Sequence, residues 1–368
     1  MKSNQELYNE RLTRFKKAIA LEKPDKTPMQ FNGDAFCANH MGVKLSEIAV
    51  NTELCITTII NSVNELGDID VVDYGATYAP AVGMYNLSNT KVPGRQLPED
   101  SLWQVDETGT MTEEDYDTIL DKGFEAFFND FTANRLNIDF QEMEEQMGKA
   151  AEAPKRYAEA GYVNSSTIAP GGEVDYLSGG RTMAKFARDL YRMPDKVYAA
   201  LDIIHEYNIN SLKQQLKNGN AVTGMIAAGR GACDFYSPKI WERVIWKYYK
   251  NLADLLIENG VTVQWHMDGN YERGLSYFRD FEKGTCLFCP DGQTDIYKVK
   301  EVLGDISCIR GDVPAPLLVL GTPEDVHNYA SRLIRDMGPG FVMGVACCTP
   351  PNAKVENVKA MIAAASGK

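Results

Sequence analysis

Five residues able to bind a metal ion or transfer a proton follow apolar, strand-like segments in the C-terminal part of the sequence. They are His266, Asp268, Asp291, Asp312 and Cys347. Each lies where a short apolar run ends and a loop with glycine or proline begins. In a parallel α/β barrel, the active site is built at this end of the strands. We therefore expect all five side chains to face one rim of the fold.

The spacing of His266 and Asp268 favours a shared metal ion. Side chains alternate along a strand, so these two residues point to the same side. Imidazole, carboxylate and the thiolate of Cys347 together suit Zn2+, which takes three protein ligands in catalytic sites and leaves a fourth position open. We expect these three residues to bind zinc, and Asp291 and Asp312 to act in catalysis. A buried structural histidine is the competing interpretation of His266.

The eight cysteines of the chain have more than one interpretation. Cys347 and Cys348 could be two core thiols or a vicinal disulfide. Cys286 and Cys289 form a CxxC pair, which could be half of a structural zinc site or a redox pair, but no second CxxC exists. We therefore assign Cys286 to the core and keep Cys289 as a spare metal ligand.

Composition excludes several classes of protein. The 368 residues are 44% hydrophobic, which is enough for a large core, and the net charge of -13 disfavours binding to nucleic-acid phosphates. No window of about 18 apolar residues could span a membrane. The charged first residues, which have a helical pattern, do not form a secretory signal, so we expect a cytoplasmic protein with reduced thiols.

Eight apolar segments alternate with helical patterns along the sequence. They are mostly continuous, as in strands covered on both faces. The segments are 27–32, 69–76, 161–169, 221–228, 261–267, 284–289, 306–311 and 341–346. Helices are predicted between them, for example over 193–217, 238–259 and 322–337. The pattern favours an α/β fold with one (β/α)8 TIM barrel, spanning 1–368 as a single domain, over an open doubly wound sheet.

Residues 77–160 are too long for a standard connection between the second and third strands. The stretch contains turn residues, a tryptophan and an acidic helix start, so we expect a hairpin and helices. Long insertions in compact domains often form lids or binding loops. We predict that this insertion lies over the barrel mouth; a structural ornament is the alternative.

Three segments of the C-terminal half occur in an order typical of one enzyme superfamily. They are VTVQWHMDGN, GDISCIRGDVPAPLLVLGTPEDV and FVMGVACCTPPNAKVENVKAM. They resemble the His-x-Cys-Gly-Asn strand end, the Gly-Asn-Val segment with its Gly-Thr-Pro-Glu helix start, and the final cysteine-containing strand of the uroporphyrinogen decarboxylase superfamily. The resemblance extends over nearly the whole chain and implies the (β/α)8 barrel of that superfamily.

The superfamily contains decarboxylases and methyltransferases, and the resemblance distinguishes them. Its decarboxylases use no metal and bind tetrapyrrole carboxylates through an arginine-rich segment after the first strand. The corresponding stretch here, MQFNGDAFCANHMG, has no arginine. Its corrinoid-linked methyltransferases hold zinc with a His-x-Cys pair and a later cysteine; His266 and Cys347 match two of these positions, whereas Asp268 replaces the first cysteine. Asp291 and, more weakly, Glu173 are competing third ligands.

The resemblance implies an O-demethylase of the methyltransferase I type. Zinc would act as a Lewis acid on the ether oxygen of a methoxylated, aromatic methyl donor, and the Co(I) corrinoid (cobalamin) of a small partner protein would take the methyl group. A carboxylate in place of a thiolate would leave the metal more Lewis acidic. The aromatic side chains that could flank the substrate, although such residues are more often core, are Trp265, Tyr74, Phe235 and Tyr236.

Three alternatives remain open from the sequence. The first is a methylcorrinoid:thiol methyltransferase, the second a metal-free uroporphyrinogen decarboxylase, and the third a non-enzymatic corrinoid-binding chaperone. The sequence also leaves open the identity of the methyl donor, the docking surface of the corrinoid protein and the oligomeric state, a homodimer included.

Overall fold

Parallel strands and the helices between them build an α/β fold. The computed structural model describes residues 2–136, 138–217, 219, 221–227 and 229–368. Its strands are β1 (Gln30–Phe31), β2 (Val71–Asp73), β3 (Asn89–Lys91), β4 (Gln104–Asp106), β5 (Val163–Ser165), β6 (Thr223–Ala227), β7 (Thr262–Met267), β8 (Cys286–Pro290), β9 (Cys308–Val313) and β10 (Phe341–Val345). β3 and β4 form an antiparallel pair, and the other strands run parallel to their neighbours.

Helices fill most of the sequence between the strands. The α-helices of the described residues are α1 (Asn4–Ile19), α2 (Asp34–Met41), α3 (Leu45–Ile48), α4 (Thr52–Leu66), α5 (Ala79–Val82), α6 (Glu114–Lys122), α7 (Phe124–Arg135), α8 (Phe140–Ala151), α9 (Ala153–Glu159), α10 (Glu173–Arg181), α11 (Met183–Arg192), α12 (Pro194–Lys217), α13 (Pro238–Trp241), α14 (Lys247–Glu258), α15 (Ile296–Leu303), α16 (Ala315–Leu320), α17 (Pro323–Met337) and α18 (Val355–Ala365). Short 3-10 helices cover Gly83–Asn86, Cys233–Phe235 and Glu272–Asp280, and a π-helical stretch covers Glu242–Trp246. Among the described helices, none combines the length and apolar character needed to cross a membrane.

The parallel strands belong to two sheets that adjoin each other at two places. One sheet has the order β1-β2-β5 and the other the order β10-β9-β8-β7-β6. An isolated parallel bridge pairs Met29, just before β1, with Met343 of β10, and a second pairs Ile168, just after β5, with Gly224 of β6. The carboxyl ends of these strands therefore lie on one side of the fold, where the residues of chemical interest follow them.

The predicted elements agree with the observed ones in type and order. Each of the eight predicted strand segments overlaps one observed parallel strand, with ends shifted by a few residues; Ala228, the last residue of the fourth, lies outside the described residues. The helix predicted over 322–337 begins with a capping box: the hydroxyl of Thr322 accepts the backbone NH of Asp325 at 3.2 Å, and the Asp325 carboxylate accepts the NH of Thr322 at 3.0 Å.

The segment 77–160 includes the antiparallel hairpin of β3 and β4 and the helices α6–α9, with Asn137 outside the described residues. The segment packs closely on helix α10. A Cβ on Gly179 would lie 2.2 Å from the carbonyl oxygen of Asn86. In addition, the backbone NH of Met111 donates to the carbonyl of Gly180 at 2.8 Å.

Strand side chains alternate between two apolar clusters. Leu287 and Val342 join Phe15 of helix α1 in the smaller cluster, whereas their chain neighbours Phe288 and Met343 belong to the larger one, which contains most of the buried helix side chains. This alternation is the pattern expected for strands buried on both faces. It also sets which strand residues can face a common interior site.

Candidate metal centre

Strand β7 turns His266 and Trp265 to opposite sides. Trp265 is fully buried, and its ring packs on Phe278 and Phe281 with centroid distances of 5.0 and 5.6 Å. Because neighbouring side chains alternate, His266 faces the other side of the strand, as Gln264 does. His266 is 6% exposed and lies at the carboxyl end of β7.

The three predicted zinc ligands converge around the imidazole. The Nε2 atom of His266 lies 3.6 Å from Sγ of Cys347 and 3.3 Å from Oδ1 of Asp268. One ligand atom of each residue lies within 4.8 Å of the other two. Zinc bonds of about 2.0 Å to nitrogen or oxygen and about 2.3 Å to sulfur, at tetrahedral angles, would separate such ligand atoms by about 3.3–3.6 Å. The observed separations from Nε2 therefore fit a tetrahedral ion.

The protonation states of the triad depend on its mutual contacts. Burial acts to lower the pKa of His266, but its hydrogen bonds with Asp268 and Cys347 raise it to about 10. Burial acts to raise the pKa of Asp268, yet the contacts with His266 hold it below its ordinary value. The Cys348 contact and burial raise the pKa of the Cys347 thiol. A divalent cation must displace the protons of His266 and Cys347, so its affinity falls as pH falls.

Cys347 and Cys348 are free thiols at the loop that follows β10. Their Sγ atoms are 3.8 Å apart, and Cys348 is the more exposed of the two. The side-chain amide of Asn32, after β1, donates to the carbonyl of Cys347 at 3.4 Å and to Sγ of Cys348 at 3.2 Å. Asn32 therefore holds the loop that carries Cys347, a role that the sequence patterns did not predict.

Tyr74 contacts the edge of the His266 ring that carries Nδ1, whereas Asp268 and Cys347 contact Nε2. Its hydroxyl oxygen lies 3.3 Å from Nδ1 of His266, and the two rings meet edge to face with centroids 6.1 Å apart. Its backbone has φ +58°, the left-handed conformation that residues other than glycine adopt rarely. Of the predicted aromatic residues, Tyr74 is the one that touches the triad.

A buried hydrogen-bond network holds the backbone just before Tyr74. The carboxylate of Asp73 accepts from the hydroxyls of Ser165 and Ser166 at 2.7 and 2.6 Å, and from the side-chain amide of Gln264 at 2.9 Å. These partners come from β5, the residue after it and β7. Asp73 is 4% exposed, and buried carboxylates need such partners. No local sequence pattern indicates this network, because its members come from three separate strands.

The two aspartates predicted to be catalytic lie outside the triad. Asp291 accepts hydrogen bonds from the backbone NH groups of Gly269 and Gln293 at 2.8 and 2.9 Å, which connects the loop after β7 to the loop after β8. Asp312 accepts from the hydroxyl of Tyr329 on α17 at 3.0 Å. Asp291 therefore contacts Gly269, the residue next to Asp268, and Asp312 lies against helix α17.

The other competing ligands are occupied elsewhere. Glu173 is buried and lies 2.7 Å from Nδ1 of His205 on α12. Cys289 is buried in the cluster that includes helix α1, and burial raises the pKa of its thiol to about 11. Among the described residues, the metal-ligand cluster contains neither of them, nor Asp291.

The remaining predicted aromatic residues lie in the segment after β6. Phe235 is 55% exposed and packs edge to face on Tyr236, with centroids 6.4 Å apart. Tyr236 is buried, and its hydroxyl donates to the carbonyl of Arg230 at 2.9 Å. The structure does not bring these two rings, or Trp265, into contact with the triad.

Arg310 introduces a buried positive charge close to the candidate centre. It is fully buried in β9, and none of its three guanidinium nitrogens forms a hydrogen bond of ordinary geometry with the described residues. Its charge is attracted to the Asp73 carboxylate and helps to hold the pKa of Asp268 below its ordinary value. An arginine inside an apolar strand was the signal in the sequence that could have revealed it.

Comparison with known proteins identifies the family. Residues 134–367 match the sequence profile described as Uroporphyrinogen decarboxylase (URO-D). The chain belongs to the URO-D family. The matched range includes the three residues of the triad and excludes Tyr74. The URO-D fold is a TIM barrel, and the α/β architecture with parallel strands described above agrees with it.

A solved structure extends the comparison to nearly the full length. A methyltransferase from Methanosarcina mazei has a similar structure, with a TM-score of 0.72 over 97% of this chain and 98% of that chain, at 18% sequence identity. At this identity the similarity shows a shared fold. A search of curated proteins found no matching sequence.

Proposed function

We propose that this URO-D family protein is a zinc-dependent methyltransferase that moves a methyl group from a methoxylated, aromatic substrate to the Co(I) corrinoid of a partner corrinoid protein. The observation that carries the proposal is the triad itself, in which an imidazole, a carboxylate and a thiol meet at separations expected of zinc ligands. A decarboxylase that works without a metal would not require three metal-binding side chains at these separations. The fold shared with a protein named a methyltransferase supports the same branch of the family.

The donor set favours zinc over other common ions. Thiolate and imidazole are borderline-soft ligands, whereas Mg2+ and Ca2+ prefer oxygen ligands alone. When bound, zinc would supply a Lewis acid for an ether oxygen. The side chain of Asp268 is 40% exposed, so the triad is accessible on that side. Because a carboxylate donates less charge than a thiolate, Asp268 would leave the ion more electrophilic than a second cysteine would.

The proposed reaction is a nucleophilic displacement at the methyl carbon. The bond between the methyl carbon and the ether oxygen breaks, a bond between that carbon and the corrinoid cobalt forms, and the oxygen leaves as a phenolate that then takes a proton. Both electrons of the new bond come from Co(I). The protein must hold the ether in line with the cobalt, since orientation of the reacting atoms supplies much of the rate.

Other parts of the chain have proposed roles in this reaction. Asp291 and Asp312 stay predicted catalytic residues, Asp291 through its hold on Gly269 next to the ligand loop. Tyr74 and Phe235 are proposed to border the substrate, with Tyr236 packed against Phe235. Trp265, buried on the other side of β7, stays a predicted substrate-binding residue.

We also propose that residues 1–368 form one closed barrel domain, with 77–160 as an insertion over its mouth. The bridges Met29–Met343 and Ile168–Gly224, which join the two sheets, support closure. The corrinoid protein would dock at the mouth, because the cobalt must reach the methyl group. We place the protein in the cytoplasm, where its free thiols stay reduced.

Methyl transfer to cob(I)alamin, used in place of the partner protein, tests the proposal. Purified protein is mixed with cob(I)alamin and vanillate, guaiacol or veratrole, and the conversion of Co(I) to methyl-Co(III) is followed by absorbance. We expect about one zinc per chain and methyl transfer from one of these donors. His266→Ala and Cys347→Ala should lose the zinc and slow transfer by more than about 100-fold, since removing a direct ligand should cost more than the 10–100-fold that removal of an outer partner of a ligand costs. His327→Ala is the matched control, because His327 lies on α17 with its Nε2 atom 3.0 Å from the carbonyl oxygen of Lys368, away from the triad.

Different failures point to different functions. Methylation of coenzyme M or homocysteine from methylcobalamin, without transfer from methoxyarenes, would indicate the thiol methyltransferase. Decarboxylation of uroporphyrinogen at full rate after chelation would indicate the decarboxylase. Transfer that is unaffected by both ligand substitutions would leave a corrinoid-binding role.

A further inference from the structure

The geometry points to Tyr74 as a positioning residue that selects which nitrogen of His266 binds the metal. This inference rests on the proposed function, because it concerns the proposed zinc ligand. The hydroxyl of Tyr74 lies 3.3 Å from Nδ1 of His266, whereas Nε2 of the same ring faces Cys347 Sγ and Asp268 Oδ1 at 3.6 and 3.3 Å. The two ring nitrogens therefore have separate partners.

Only one tautomer of the imidazole satisfies both sets of contacts when an ion is bound. A metal takes the lone pair of Nε2, so the proton of the neutral ring must reside on Nδ1. Nδ1–H then donates to the hydroxyl oxygen of Tyr74. Partners of this kind on the second nitrogen fix ring orientation and commonly contribute 10–100-fold to metal affinity.

The backbone around Tyr74 is held in the conformation that this contact requires. A left-handed φ is unfavourable for any residue other than glycine, so surrounding contacts must maintain it. Asn164 donates from its side chain to the carbonyls of Val72 and Tyr74 at 2.9 and 2.8 Å. The Asp73 carboxylate, itself held from two neighbouring strands, accepts the backbone NH of Tyr74 at 3.2 Å. These contacts hold the Tyr74 ring, which follows β2, against His266 of β7.

This role differs from that of an aromatic wall for the substrate. A wall requires the ring and not the hydroxyl, so Tyr74→Phe would leave it intact. A positioning residue requires the hydroxyl oxygen. The same substitution therefore separates the two roles.

Zinc affinity of Tyr74→Phe is the test. Metal-free protein is prepared with a chelator, and the dissociation constant for Zn2+ is measured by competition with a chromogenic chelator. We expect zinc binding to weaken 10–100-fold. Tyr162→Phe is the matched control, because it removes a phenol hydroxyl that donates to Asn64 at 2.7 Å, away from the triad; it should bind zinc like the unchanged protein. Melting temperatures of the metal-free proteins verify that each variant is folded.

A dissociation constant for Tyr74→Phe within twofold of the unchanged protein would overturn the role of Tyr74 and leave the proposed function standing. If the unchanged protein binds no zinc, both fall. Histidine 15N NMR of the unchanged zinc protein gives a measurement that does not depend on the variant's folding. With four histidines in the chain, the spectrum can be assigned through His266→Ala. We expect Nε2 bound to metal and Nδ1 protonated; the reverse assignment contradicts the inference.

Discussion

At the scale of single residues, Asp312 is a buried carboxyl group whose surroundings favour its neutral form. Burial raises its pKa to about 6, although the hydrogen bond from Tyr329 acts in the opposite direction. The folded state thus binds the proton more tightly than the unfolded state does. Stability from this group is present at low pH and is lost as pH rises through about 4 to 6.

Asp312→Asn should therefore stabilise the protein at pH 8 by about 1–2 kcal/mol and change little near pH 4.5. Asparagine can still accept the Tyr329 hydroxyl, but it carries no charge. Free energies of unfolding in urea at both pH values check this. Asp305→Asn is the control of opposite sign, because the hydrogen bond from Arg279 lowers the pKa of Asp305. Equal or lower stability of Asp312→Asn at pH 8 would contradict the account.

The methyl-transfer rate of the Asp312→Asn variant tests the predicted catalytic role of Asp312.

The residues of the triad could be predicted from sequence, and the residues that support them could not. His266, Asp268 and Cys347 are recognisable because alternation and strand ends fix where they point. The contact of Tyr74 with His266 depends on a left-handed backbone conformation that contacts from β5 and β7 maintain. Such a conformation depends on tertiary structure and leaves no local pattern. The position of Arg310 within an apolar strand can be read from the sequence. Its interaction with Asp73 cannot, because the two residues come together only in the folded chain.

At the scale of elements, two helical glycines test how the 77–160 segment packs. Gly179 of α10 is buried, and a Cβ there would meet the carbonyl oxygen of Asn86 at 2.2 Å. Gly148 of α8 is exposed, and a Cβ there would meet nothing within 4 Å. The same substitution should therefore have opposite effects at the two sites.

We expect Gly179→Ala to lower the free energy of unfolding by about 1–3 kcal/mol, as overpacking does. Gly148→Ala should raise it by about 0.5–1 kcal/mol, since alanine loses less backbone entropy in a helix. Urea titrations of both variants at neutral pH give the two values. A neutral Gly179→Ala would show that the segment does not pack on α10 as described.

Sequence patterns predicted the strands better than the segment between them. Continuous apolar runs and helix caps mark each parallel strand and the helix after it, as at Thr322. Within 77–160, helix patterns are visible, but the contacts of Gly179 with Asn86 join positions distant in sequence. No local pattern encodes such a pairing.

At the scale of the whole molecule, the fold brings the three candidate ligands and Tyr74 together from distant parts of the chain. β7 and β10 carry the triad and are separated by β8 and β9, while Tyr74 follows β2 in the other sheet. The URO-D family match includes the three residues of the triad but not Tyr74, whose place beside His266 is known from the geometry. The central claim is that one divalent cation binds where these elements converge.

A crystal structure of the zinc-loaded protein, with diffraction recorded on both sides of the zinc absorption edge, tests that claim most directly. We predict one strong anomalous peak per chain, within bonding distance of His266 Nε2, Cys347 Sγ and a carboxylate oxygen of Asp268. A zinc peak elsewhere, or a triad with no peak at saturating zinc, would contradict the account.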